Sequence, residues 1–166
     1  MNRTIAFVTI AFLAGLGIGY FARGAVGTLH HNEARSGDLA AIEKLHRADE
    51  ECTLTQDPKC LTTLWSDDGI NLGFPGPPVV GMKAMGDAYA KFRADYPDFQ
   101  VLNYAPDYKE MHTAIVDEWA IEVGFIDATF KMSANAAPIS PPRTKGMRLL
   151  KRQSDGSWKF ALVGLK

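Results

Sequence analysis

Pro97 separates two kinds of periodicity, and that division constrains the fold more than any single motif. Before it, apolar residues recur at helical spacing; after it, they alternate. Met82, Met85, Tyr89, Phe92 and Tyr96 recur every three or four residues and predict a helix from about Met82 to Tyr96, stopped by the proline. Upstream, Leu39, Ile42, Leu45, Ala48 and Cys52 predict a helix from a cap at Asp38 to about Thr55. A short second helix is expected over Lys59–Trp65, after the turn Gln56-Asp57-Pro58. Beyond Pro97, the stretches Phe99–Tyr104, His112–Val116, Glu118–Met132, Arg143–Gln153 and Trp158–Leu165 read as strands. Asp155-Gly156 marks a hairpin between the last two, and Ser133–Pro142 is a proline-rich loop.

Helices followed by long strands predict an α+β domain, a cone-shaped, strongly curved antiparallel sheet wrapped around three N-terminal helices. Such curling opens a pocket between helices and sheet. One domain plus an appendage suits 166 residues with 46% hydrophobic content. A net charge of −1 without a run of Lys or Arg argues against nucleic-acid binding.

The appendage is Thr4–Ala22, TIAFVTIAFLAGLGIGYFA, which is uncharged and close to the roughly 20 residues that span a bilayer. It is expected to be an uncleaved membrane anchor or a cleaved signal peptide, with Ala25-Val26-Gly27 as a candidate cleavage site. Either places the rest on the periplasmic or extracellular side, membrane-anchored or secreted. Residues 1–23 then form the leader, 24–37 a polar linker containing His30-His31, and 38–166 the folded domain. Gly15, Gly17 and Gly19 lie inside the apolar run and lack the strand–turn–helix setting of a dinucleotide loop. Export permits a disulfide between Cys52 and Cys60; two separate buried thiols are the alternative. The histidines and cysteines show no metal-ligand spacing, so no metal or cofactor is expected.

In the first helix, Asp49 falls near the middle of the apolar stripe, where an ionised group needs partners. Glu50 and Glu51 fall at its edge and off it. The doublet Asp67-Asp68 ends the second helix and opens a strand around Ile70–Leu72, ahead of the turn Gly73–Pro78 and Val79-Val80.

The segment LWSDDGINLGFPGPPVVGMKAM, with RLLKRQSDGSWKFALVGL and EWAIEVGF, resembles the nuclear transport factor 2-like superfamily, which includes ketosteroid isomerase and the SnoaL-like polyketide cyclases. The resemblance covers about Asp38 to Leu165, with Ala120 and Gly124 at typical central-strand positions. The position of the isomerase's base is held here by Gly73 or Phe74, and neither accepts a proton. Its oxyanion-hole tyrosine corresponds to Asp49, and its protonated Asp falls near Thr144–Lys145. Steroid isomerisation by that mechanism is therefore not expected.

The resemblance also places Asp49 in the pocket, as acid, base or hydrogen-bond acceptor, and makes Glu122 a second inward candidate. Strand alternation alone leaves open whether Glu122 or the set Trp119, Ile121 and Val123 faces inward. Trp65, Tyr89, Trp119 and Met147 are the expected walls of a pocket for a flat, greasy ligand, with a hydrogen bond between Asp49 and Tyr89. His112 is expected at an exposed strand end. The functional expectation is a domain binding a small hydrophobic molecule or a partner protein; the alternative is a small isomerase, cyclase or dehydratase using Asp49. A homodimer through the sheet face is implied by the resemblance.

Overall fold

A computed structural model describes residues 27–74, 76–107 and 112–165, with side chains from residue 35 onward. The expected leader, Ala25 and Val26 of its candidate cleavage site, and the His30 and His31 side chains lie outside what is described. Among the described residues no helix is long and apolar enough to cross a membrane.

Helix α1 runs Gly27–Thr55, α2 Pro58–Thr63 and α3 Met82–Asp95. The start of α1 corrects the expectation of a helix capped by Asp38. GTLHHNEARSG carries no proline and several helix formers, but lacks the apolar stripe by which a helix is read. Its Gly37 is mid-helix in open space, where a Cβ would touch nothing. Asp38 instead pairs with Arg152 and accepts from Trp158 Nε1 at 3.3 Å, pinning the helix to the end of the sheet. Within α1, Ile42, Leu45 and Cys52 are buried as predicted, whereas Leu39 is exposed. The proline at the start of α2 follows an N-cap, Asp57, whose side chain accepts from Lys59 N.

The strands are β1 Trp65–Asn71, β2 Val79–Val80, β3 Gln100–Pro106, β4 His112–Val116, β5 Trp119–Lys131, β6 Thr144–Arg152 and β7 Trp158–Leu165. They form one sheet of order β2-β1-β7-β6-β5-β3, with β4 also pairing β5. The long β5 serves two partners on one side: its first half pairs β4 and its second half β3. One pairing corrects the expected all-antiparallel sheet, because β1 runs parallel to β7. The sheet is therefore mixed, curved and unclosed. Irregularities at Trp65/Ile70, Val101/Asn103 and Leu149/Leu150 bend the strands, as bulges do.

Asp67 and Asp68 lie within β1, both exposed, rather than at the end of α2. Lys151 Nζ bonds Asp68 at 3.2 Å and lowers its pKa. The following Gly69 meets a structural need: a Cβ there would come within 3.0 Å of the Trp65 ring and 3.1 Å of two backbone carbonyls. At the β6–β7 turn, Gly156 takes φ +82°, and Asp155 accepts from both the amide and the hydroxyl of Ser157.

Strand pairing separates the sheet into two faces. Ala120↔Leu150 and Glu122↔Arg148 are inner pairs, packed towards Ile42, Leu45 and Met85 of the helices. Ile121↔Leu149 and Val123↔Met147 belong to the outer face, where Ile121, Val123 and Met147 are between 41% and 49% exposed.

Candidate functional site

Curvature of the sheet leaves a cavity of about 450 Å³ beneath α1 and α3. Its walls are largely aromatic: Trp65, Phe74, Tyr89, Phe92, Phe99, Tyr104, Phe130 and Phe160. Phe74 stands edge-on to Tyr89 at 5.2 Å and Phe92 edge-on to Phe99 at 5.0 Å, arrangements that bury area in fixed geometry. Gly73 and Phe74, at the position of the isomerase's base, are thus wall residues.

Three polar side chains from three elements converge at one end. Asp49 comes from α1, Tyr104 from β3 and Arg148 from β6, and all three line the cavity. Tyr104 Oη donates to Asp49 Oδ2 at 2.8 Å. Arg148 Nη2 donates to Tyr104 Oη at 2.7 Å and lies 3.0 Å from Asp49 Oδ2. The side chains of Arg148 and Asp49 are only 3% and 9% exposed, so the pair sits where ionic interactions are weakly screened. The guanidinium also stacks over Phe160, 5.1 Å from its centroid. Asp49 Oδ1 is differently placed, with only Thr53 Oγ1 at 3.5 Å, the outer limit of a hydrogen bond.

Glu122, opposite Arg148 across the β5–β6 ladder, is fully buried but does not line the cavity. His46 Nε2 lies 2.9 and 3.1 Å from its two oxygens, and Thr113 Oγ1 donates to it at 3.2 Å. Glu122 therefore faces inward, as one of the two alternatives had it, and supports the charged end from behind. His46 and Asp49 are three residues apart on α1 and meet the sheet side by side.

The other expected residues divide. Trp65 and Tyr89 line the cavity, and Trp65 Nε1 donates to Tyr89 Oη at 3.2 Å. Burial pushes the Tyr89 pKa up to about 12, helped by the nearby Asp49 charge. The expected Asp49–Tyr89 bond is not formed; the hydroxyl that reaches Asp49 is that of Tyr104. Trp119 and Met147 are corrections: the β5–β6 register puts them on the outer face with Ile121 and Val123. Met147 and His112 instead border an open hollow of about 890 Å³ on that face, with Val123, Phe125 and Lys145.

Tyr104 and Arg148 were not singled out by sequence reasoning. The irregularity at Val101/Asn103 breaks the alternation that would have signalled Tyr104. Arg148 sits in TKGMRLLKR, where neither alternating set is wholly apolar.

Cys52 and Cys60 form a disulfide, Cα atoms 5.3 Å apart, which ties the end of α1 to α2. Leu61, the next residue, lines the cavity, as does Gln56 between the cysteines, so the staple holds one wall. No cluster of three metal-ligating side chains occurs among the described residues.

No protein-family model and no curated protein matches the sequence. Solved structures do match. A Catenulispora acidiphila protein in complex with S-DNPA superposes with a TM-score of 0.64 at 15% identity, over 76% of this chain and 90% of that one. A ketosteroid isomerase-like protein from Erwinia carotovora atroseptica gives 0.63 at 21% identity, over 77% and 94%. ActVI-ORFA from Streptomyces coelicolor gives 0.64 at 14%, over 78% and 96%. Identities this low establish architecture and leave chemistry to the site itself. The chain has the nuclear transport factor 2-like fold, in the form shared by ketosteroid isomerase-like and SnoaL-like proteins.

Proposed function

We propose that this chain is a small-molecule-binding domain whose inner cavity takes a flat, mainly apolar ligand. The observation that carries the proposal is the cavity of about 450 Å³, walled by aromatic rings and closed by one polar end. The complex of the Catenulispora acidiphila protein with S-DNPA supports it at the level of the shared fold. Binding is favoured over catalysis because Asp49 lacks a second acid–base partner aimed at a common substrate. Tyr89 is bonded to Trp65, and His112 borders the outer hollow. Asp49 Oδ2 already accepts from Tyr104 and is ion-paired with Arg148 Nη2 at 3.0 Å. The alternative, an isomerase, cyclase or dehydratase, would rest on Asp49 Oδ1 alone, at a gain of about 10²–10⁴-fold for one positioned group.

Titration of the whole chain with N-phenyl-1-naphthylamine, a neutral fluorophore, tests the proposal. A saturable single-site rise in emission is expected, weakened at least about tenfold by Val101→Trp, which fills the cavity. A non-saturating signal unaffected by that substitution would refute it.

The proposal includes export or anchoring through residues 4–22. The Cys52–Cys60 disulfide supports this, since oxidising compartments are where such bonds persist. Thiol labelling in intact cells should find both cysteines blocked; two reactive thiols would count against export. Pairing of two copies through the outer sheet face also belongs to the proposal, supported by the exposed Val116, Ile121, Val123 and Met147.

A further inference from the structure

The two oxygens of Asp49 are not equivalent, and the difference specifies what a ligand must bring. Oδ2 accepts from Tyr104 at 2.8 Å and lies 3.0 Å from Arg148 Nη2, so its lone pairs are engaged by the protein. Oδ1 has only the 3.5 Å contact from Thr53. A carboxylate oxygen has acceptor capacity for more than one such bond. Asp49 is 6% exposed and lines the cavity, so a ligand that fills the cavity also seals this oxygen from solvent. A buried acceptor left without a donor is costly, and that cost falls on any ligand that cannot donate.

The surrounding charge narrows the choice further. Two carboxylates, Asp49 and Glu122, stand at this end with one guanidinium, Arg148, and one imidazole, His46, which is engaged with Glu122. Arg148 Nη2 is committed to Asp49 and Tyr104. An anionic head group would be brought against Asp49 Oδ1. The remaining walls are aromatic rings and offer a charged group little.

We propose that the ligand is an uncharged, flat molecule whose hydroxyl group donates a hydrogen bond to Asp49 Oδ1. This rests on the cavity being the binding site, and names the chemistry by which that site selects. Asp49 is then a specificity-determining residue, oriented by Tyr104 and Arg148, and the aromatic walls supply affinity without selection.

Three probes of one skeleton test this on the whole chain by calorimetry: 2-naphthol, 2-methoxynaphthalene and 2-naphthoate. The naphthol, which alone carries a donor, should bind at least about tenfold more tightly than its methyl ether, and the naphthoate most weakly. In Asp49→Asn the naphthol should lose affinity, and the naphthoate should gain about tenfold as the opposing charge is removed. Naphthol and methyl ether within about threefold of one another in the wild type would overturn the inference while leaving the pocket in place. If none of the three saturates, the pocket reading itself fails and this inference with it. Should Asp49→Asn not fold, the wild-type comparison decides alone.

Discussion

Midway along the β5–β6 ladder, the two faces of the sheet invert the usual assignment of polar and apolar residues. The inner face buries Glu122 and Arg148, at 0% and 2% exposure, while one residue away Ile121, Val123 and Met147 stand 41–49% exposed outside. Apolar residues on a surface are common and need no explanation; buried charges do. Arg148 is held by Asp49 of α1 and Tyr104 of β3, and Glu122 by His46 of α1 and Thr113 of β4. Arg148 marks the end of a cavity, whereas Val123 and Met147 border an open hollow. Polarity on the concave side identifies where recognition is concentrated.

The largest way to break this comparison is to remove its central cation. Arg148→Met leaves Asp49 as a buried carboxylate without its guanidinium and should cost about 3–5 kcal/mol in urea unfolding. A loss below about 1 kcal/mol would mean that the inner charges are hydrated and the cavity end is open. Tyr104→Phe removes one hydroxyl that bonds both Asp49 and Arg148, and should cost about 1–3 kcal/mol.

A smaller effect comes from Tyr89. Its folded pKa, raised to about 12 by burial, exceeds the ordinary value of 10.0. The protonated phenol is thus favoured in the folded state, and this contribution is intact below pH 10 and lost as pH rises towards 12. Absorbance titration at alkaline pH should show a late tyrosinate step that disappears in Tyr89→Phe; if that substitution instead removed amplitude near pH 10, the burial would be contradicted. Smallest of all, Ile121→Lys on the outer face should change stability by less than about 0.5 kcal/mol. If two copies pair there, the same substitution should lower the mass measured by light scattering, and an unchanged dimer would place the contact elsewhere.

Much of the architecture was legible in the sequence because periodicity and turn chemistry are local. His112–Val116 and Trp158–Leu165 are bounded as predicted, and Met82–Asp95 ends one residue earlier than expected. The parallel β1–β7 contact was not legible, since it joins segments far apart in sequence and leaves no local signal. The inward face of β5 stayed open for a related reason. In WAIEVGF, the set Trp119, Ile121, Val123 and Phe125 is wholly apolar, so hydropathy alone favours it for the interior. The interior instead takes Ala120, Glu122 and Gly124, small residues and a charge whose partners, His46 and Thr113, come from α1 and β4. Asp49 was legible because one helix supplies both the apolar stripe and the exception to it. Tyr104 and Arg148 were not, because their importance exists only where three elements meet.

The two hollows offer the most direct test of the central claim that ligand recognition occurs at the charged inner end. Backbone and side-chain NMR shifts recorded while 2-naphthol is added to the whole chain would locate the probe. Saturating changes are expected at Asp49, Tyr104, Arg148 and Phe160, with Val123, Lys145 and Met147 unmoved. Changes confined to Val123, Lys145 and Met147 would place binding in the outer hollow and contradict it.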